Sequence, residues 1–355
     1  MHILIFGSGA VGGYLGTVLA LAGEQVTFLC RPKLAQVLRA RGLRLSTARG
    51  STSLRHPHVI ETLKELESLP QAAFITVKVY DVPSAAQALR QHLPDIQALV
   101  CFTNGIGGEA MLGRHFPHER VIAATLTSAV VIEEPAHLRV TRERGVGLAG
   151  DHPACPQLLA SFQRAGIKAR HYQDPQRMKW SKLLTNMVAN AVSAITGLSP
   201  AQLYDHPGFF RLELEALREA LGVMRAMGLR PQNLPGVPVG LMGTALFLPP
   251  RLIQPVLRRM VAGGRGKKLP SFHYDLGRGR SEVKWLNGAV VEAGTRLALP
   301  TPANALICDR MWRLASGELD PQTYRADPQR LLREAEQEGV PGIRGYNPLG
   351  DQKQP

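Results

Sequence analysis

The chain has 355 residues, a hydrophobic share of 45% and a formal net charge of +14, a size that implies about two domains with ordinary cores and no need of a staple. Its four cysteines, Cys30, Cys101, Cys155 and Cys308, form no CxxC pair, which argues against a disulfide scaffold or a cysteine zinc site and for a reducing, cytoplasmic compartment. Met1–Phe6 is too short for a signal-peptide core, no apolar run approaches the ~20 residues of a membrane span, and the aromatic share of 6% is low for a platform that stacks single strands.

Strand and helix patterns alternate through the first half. Met1–Phe6 reads as a short apolar strand, the glycine-rich stretch from Gly7 to Gly13 leads into a helix of small residues ending near Ala22, and Gln25–Leu29 is a second strand. Phe74–Val77 and Ala98–Phe102 are further strands with a helix over about Val82–Leu93 between them, and Val121–Thr127 continues the series. Leu138–Ala149 reads as a hairpin turning at Arg144-Gly145. Such alternation implies a mainly parallel sheet with helices on both faces.

After about Tyr172 the strand signals stop, and Arg177–Val192, Pro207–Met227 and Ser281–Leu297 carry helical spacing. A basic Pro- and Gly-rich stretch, Pro231–Leu269, interrupts them; it is expected to add helical structure to the second domain and to supply an interface or a positive rim, since its apolar part, Val237–Leu248, is too long to leave in water. The tail from Glu338 is polar and is expected to fray. The expected organisation is a Rossmann-type α/β dinucleotide-binding domain over 1–172, an all-helical substrate and catalytic domain over 173–337, and a polar tail over 338–355.

Gly7, Gly9 and Gly12 make a GxGxxG between the first strand and the first helix. In that context Gly7 permits the tight turn, Gly9 lets the backbone approach a pyrophosphate, and Gly12 lets the helix pack on the strand, so the helix N-terminus faces the anion. An acid at the end of the second strand would read the ribose hydroxyl of NAD; here Leu29-Cys30-Arg31 ends it instead. The forked donors of Arg31 suit the 2′-phosphate of NADP(H), and the positive net charge suits small anionic ligands.

Lys182, Asn186 and Asn190 stand at i, i+4 and i+8 among Leu183, Leu184, Met187 and Val188, which predicts a buried polar stripe on one helix face. Asparagine is a poor helix former, and buried polar groups need partners, of which a ligand is one. Lys78 and Asn104 each follow a predicted strand, at the carboxyl ends where open α/β sheets bind ligands.

Taken together, Gly7-Ser8-Gly9-Ala10-Val11-Gly12, Arg31, Lys78, Asn104-Gly105, the block from Lys182 through Asn186 to Asn190, Ser271 with Asp275, and Ser281-Glu282 followed by Asn287-Gly288 resemble the ketopantoate reductase (2-dehydropantoate 2-reductase) family. The resemblance runs from Met1 to about Arg313. It implies NADPH-dependent reduction of 2-dehydropantoate to pantoate, for pantothenate and coenzyme A synthesis, and a helical second domain of the 6-phosphogluconate dehydrogenase C-terminal type. Carried over position by position, it makes Lys182 the proton donor and Asn186, Asn190 and Ser271 substrate-binding residues. Asn104 then touches cofactor and substrate, and Glu282 is a carboxylate on the cofactor side that can also orient Lys182. Gly7 to Gly12, Arg31, Lys78 and the backbone of Ala129 hold the cofactor. The chain departs from the family at Pro200, where a substrate-side asparagine is usual, in a shorter Asp275–Glu282 spacing, and in the length of Pro231–Leu269.

The chemistry suits these residue types. Hydride transfer to a ketone puts negative charge on its oxygen, and a placed ammonium stabilises that charge and gives the proton. Two other readings stay beside this one: a reductase of another 2-keto acid or a 3-hydroxy acid dehydrogenase, and a non-catalytic nucleotide-sensing or nucleic-acid-binding regulator. The second draws on the net charge and the run from Arg251 to Lys268, but no recognition motif accompanies that run. The expected partners are a small 2-keto acid and a second copy of the chain through the helical domain; no nucleic acid, membrane or metal is expected.

Overall fold

Residues His2–Phe6 form β1, whose middle residues Ile3, Leu4 and Ile5 are fully buried, as a strand inside a sheet covered on both faces must be. A computed structural model describes residues 1–250, 252–255, 257–258 and 270–343. The other strands are β2 (Gln25–Leu29), β3 (Leu43–Thr47), β4 (Gly50–Leu54), β5 (His58–Ile60), β6 (Ala72–Ile75), β7 (Ala98–Cys101), β8 (Val121–Leu126), β9 (Ala129–Glu134), β10 (His137–Arg142), β11 (Gly145–Ala149) and β12 (Lys168–Tyr172). Eight of them form one sheet in the order β12-β11-β8-β7-β6-β1-β2-β5. The run β5-β2-β1-β6-β7-β8 is parallel throughout. Its order reverses at β1, the doubly wound arrangement that leaves a crevice at the carboxyl ends of β1 and β6. Beyond β8 the direction changes, with β11 antiparallel to β8 and β12 parallel to β11.

The helices of this part are α1 (Ala10–Leu21), α2 (Pro32–Arg41), α3 (Val82–His92), α4 (Gly108–Gly113) and α5 (Cys155–Arg164). Helix α1 is apolar nearly all round, and the reason lies in a second sheet of order β4-β3-β10-β9. Gly12 and Gly16 of α1 lie against β1 and β2, while Gly13 lies against Leu138 of β10. A helix covered from two sides needs no polar face. On the large sheet, the rings of Phe74, Phe102 and Phe162 of α5 pack tilted or edge-to-face with centroids 5.2–6.3 Å apart.

The expected hairpin at Arg144-Gly145 does not form. β10 pairs with β9 around a turn at Pro135-Ala136, whereas β11 lies in the large sheet. The side-chain pattern explains the separation. β10 alternates buried Leu138 and Val140 with exposed Arg139 and Thr141, the signature of a strand with one wet face, while all five residues of β11 are buried. The strands β3, β4, β5, β9 and β12 have no counterpart among those expected from the sequence, while β10 answers to the first arm of the expected hairpin.

The chain divides into two units, Met1–Lys182 with Gln232–Pro238, and Leu183–Pro231 with the chain from Val239 onward. The expected boundary at Tyr172 falls ahead of this division. Gln232–Pro238, expected as part of the inserted stretch, returns to the first unit through backbone contacts. Tyr172 donates to the Asn233 carbonyl (2.9 Å), Thr127 to the Pro235 carbonyl (2.7 Å), and the Gln232 N–H to the Ser181 hydroxyl (3.0 Å).

The helices that follow are α6 (Pro175–Met187), which runs across the division, α7 (Ala191–Thr196), α8 (Pro200–Asp205), α9 (Pro207–Ala226), α10 (Val239–Ala245), α11 (Asn287–Arg296), α12 (Pro302–Ser316), α13 (Gln322–Arg325) and α14 (Arg330–Gln337). The second unit is therefore helical, and a buried polar chain ties three of its helices. The Glu219 carboxylate of α9 accepts the Ala303 and Asn304 N–H groups at the start of α12, at 2.8 and 2.9 Å. The Asn304 amide also donates to Ala216 and Glu219, and its oxygen accepts from Asn287 of α11. Burial pushes the Glu219 carboxyl up from its ordinary value, against those donors.

Of two expectations about the second half, one is corrected and the other is met in its helical part. The chain after Gln337 does not fray at once, because Val340 and Ile343 are buried and Arg211 donates to the Pro341 carbonyl; the remainder of the tail lies outside the described residues. The inserted stretch does carry helix α10, but Arg251, Arg259, Arg265, Lys267 and Lys268 fall outside the described residues. Among the described residues, no helix is long and apolar enough to cross a membrane.

A methyl group added at Gly16 would lie 2.4 Å from the Phe28 ring and 2.9 Å from Ile5. Gly16→Ala is expected to lower the unfolding free energy by about 1–3 kcal/mol, as overpacking does, measured by urea denaturation. An unchanged midpoint would show that α1 and β2 can separate freely.

Candidate active site

In the first unit the turn after β1 is built for close approach. Gly7 takes φ 108°, a left-handed conformation that favours glycine. Its carbonyl accepts the Gly9 N–H (2.8 Å) and the Thr76 hydroxyl (2.8 Å), and Thr76 also reaches the Phe6 carbonyl (3.1 Å). Thr76 follows β6, so its hydroxyl joins the two strand ends that flank the crevice. The sequence places Thr76 inside the expected strand Phe74–Val77, and only the end of β6 at Ile75 frees its hydroxyl for this role. A Cβ on Gly12 would meet the Gly7 carbonyl at 2.3 Å, so helix and turn touch there.

Gly9 differs from both. It caps α1 with φ −76°, which any residue adopts, and a Cβ built on it meets nothing within 4 Å. The open space lies at the N-terminus of α1, where Ala10, Val11 and Gly12 have N–H groups without intrahelical acceptors. The cradle thus fits a pyrophosphate, which needs bare backbone and a positive helix end. The Ser8 hydroxyl donates to the Leu29 carbonyl (3.2 Å) and pins the turn to β2.

Arg31 stands just past β2 as the cap of α2, exposed, with Pro32 at the first helical position. Lys78 caps a 3-10 turn, Val79–Asp81, after β6, and Asn104 follows β7; both are half-buried and engaged with other groups. Ala129 opens β9, and its carbonyl accepts the Thr141 hydroxyl at 3.3 Å.

Helix α6 carries Lys182 and Asn186 one turn apart, both half-buried. The predicted single stripe through Asn190 is corrected, because α6 ends at Met187 and Ala189 takes φ 46°. The buried Glu213 carboxylate of α9 accepts the Ala189 N–H at 2.7 Å and holds this break. Asn190 caps α7 instead. Its amide donates to the Asn186 carbonyl (3.0 Å), and its oxygen accepts the Ser271 hydroxyl and the Phe272 N–H, each at 3.3 Å. Helical spacing thus linked the asparagines for the wrong reason, while tertiary structure joins Asn186, Asn190 and Ser271.

Elsewhere in the second unit, Glu282 is buried at the start of a 3-10 turn, Glu282–Trp285, capped by Ser281. The Ser281 hydroxyl donates to the buried Asp275 carboxylate at 3.0 Å. Pro200 is the first residue of α8, which a Ser199–Gln202 capping box opens. Among the described residues there is no cluster of three or more His, Cys, Asp or Glu that could hold a metal.

Residues 3–152 match the family model described as ketopantoate reductase PanE/ApbA, and residues 174–313 match that of its C-terminal domain. The chain belongs to this family of oxidoreductases. It is 28% identical over 320 residues to the 2-dehydropantoate 2-reductase of Halobacterium salinarum, spanning 87% of this chain and 97% of the relative. Among solved structures, the PanE/ApbA family ketopantoate reductase of Ralstonia eutropha superposes with a TM-score of 0.75 at 27% identity, covering 90% of this chain and 99% of that one. A D-mandelate dehydrogenase bound to NADH and anilino(oxo)acetate shares the fold, with a TM-score of 0.74 at 18% identity over 89% and 99% of the two chains.

The contrast between two glycines is testable. Gly9→Val is expected to keep the thermal midpoint and abolish dinucleotide binding, measured by nicotinamide fluorescence, whereas Gly12→Val is expected to cost stability first. Retained binding in Gly9→Val would remove the cradle from the cofactor site.

Proposed function

We propose that the protein reduces 2-dehydropantoate to pantoate with NADPH. The observation that carries the reading is the cradle at Gly9, with Arg31 rather than an acid after β2, on a chain of the ketopantoate reductase family. Gly7 to Gly12 hold the pyrophosphate and Arg31 the 2′-phosphate, with Lys78, Asn104, Ala129 and Glu282 as further cofactor contacts. When bound, NADPH supplies the hydride that the ketone carbon accepts.

The protein's own part is positioning and proton supply. Lys182 presents an ammonium to the ketone oxygen, offsets the charge that develops there, and then gives up a proton. Asn186 donates a hydrogen bond to the carboxylate of the acid without adding net charge, and Ser271, whose own proton goes to Asn190, accepts one from the acid's hydroxyl. Asn190, which already bonds Ser271, sets the direction of the Ser271 hydroxyl as well as offering its own amide.

One observation favours a second reading, reduction of a different 2-keto acid. Pro200, locked at the start of α8, offers no side-chain amide at a position where the resemblance implies one. A panel of 2-keto acids, followed by loss of NADPH absorbance, separates the two. Turnover of 2-dehydropantoate well above the others supports the first reading, and a clear preference for another acid supports the second.

Arg31→Ala is expected to weaken NADPH by about 1.5–3 kcal/mol, the worth of a charge-assisted phosphate contact, and to leave NADH nearly unchanged. Equal losses for both cofactors would show that Arg31 does not read the phosphate. Lys182→Ala is expected to lower kcat by at least roughly 10² with NADPH affinity nearly intact. Near wild-type kcat in that variant would move the acid role to Lys78.

A further inference from the structure

A second lysine on α6 has no role in the reading above. Lys179 lies one turn before Lys182, and its side chain is only 5% exposed. A buried ammonium is costly unless it is paired and hydrogen-bonded, and Lys179 is both. Its Nζ donates to the Thr103 carbonyl at 2.7 Å, lies 3.5 Å from the Ala124 carbonyl of β8, and forms an ion pair with Glu109 of α4 at 2.8 Å.

These partners share a pattern. Thr103 and Glu109 bracket the glycine-rich segment that carries Asn104, and one ammonium holds both ends of it. Thr103 is fixed further by its hydroxyl, 3.3 Å from the Cys101 thiol. A Cβ on Gly108 would meet that same hydroxyl at 2.3 Å, so the segment folds back on itself with no slack.

We propose that Lys179 is a positioning residue, whose buried ammonium fixes the segment bearing Asn104 to the helix bearing Lys182. The proposal rests on the roles given above to Asn104 and Lys182. A neutral side chain at position 179 would free both ends of the segment at once. Asn104 would then lose its place relative to the proton donor, and misplacement of a reacting group by about 1 Å can cost roughly 10² in rate.

The test is a double-mutant cycle in the full-length protein, Lys179→Met against Asn104→Ala, with kcat and KM for the best 2-keto acid, thermal unfolding, and hydrogen exchange across 103–109. Lys179→Met is expected to lower kcat/KM by roughly 10- to 100-fold, Lys179→Arg to recover much of the loss, and exchange across 103–109 to quicken. In the Asn104→Ala background, Lys179→Met should cost less than about two-fold more, while the fall in thermal midpoint is the same in both backgrounds. Losses that multiply, or an unchanged exchange pattern, overturn the proposal. If the wild-type protein reduces no 2-keto acid, the proposed function fails alone, and the exchange experiment decides the role of Lys179. Should Lys179→Met not fold, Lys179→Met/Glu109→Gln, which removes both charges together, replaces it in every arm.

Discussion

Helix α1 can lie on β1 and β2 only because Gly12 and Gly16 have no side chains, and the first unit is arranged around that contact. A Cβ at either position would stand under 3 Å from the sheet or from the turn before the helix. The same closeness brings the N-terminus of α1 to the carboxyl end of β1 and leaves the bare backbone at Gly9 facing open space. The anion cradle is thus a by-product of packing. Thr76 completes it by tying the turn after β1 to the end of β6.

The second sheet is the counterpart of that contact. Because α1 is covered on its far side by β3, β9 and β10, it is apolar all round, and the chain between β2 and β5 and between β8 and β11 serves to build this cover. The helix that presents the cradle is therefore held from both sides. A rigid support of this kind suits a site whose task is to fix a long dinucleotide in one pose.

The second unit solves a different problem, the placing of polar side chains in an apolar helical core. Glu213 holds the backbone break after α6, Glu219 caps α12 from α9, and Asn190 joins the end of α6 to Ser271. Each of these groups is satisfied by backbone N–H or carbonyl groups at helix ends. A core with many short helices exposes many such ends, and each buried end needs a partner. The acids and amides of this unit are distributed accordingly, and Asn190, which helical spacing grouped with Lys182 and Asn186, instead serves the start of α7 and its link to Ser271.

The sequence by itself determined the parallel sheet, the GxGxxG turn, the arginine after β2 and the helical second half, because each is written in local spacing or in a short motif. It also led to the family, through an ordered set of short blocks. What it did not contain was any pairing between distant segments. The β9–β10 hairpin, the four-stranded sheet, the end of α6 at Met187, the Asn190–Ser271 bond and the Lys179–Glu109 pair were all decided by tertiary structure. The physical reason is the same in each case: periodicity reports which face of an element is buried, but a hydrogen bond or ion pair depends on what lies opposite, and that is fixed only when the chain is folded.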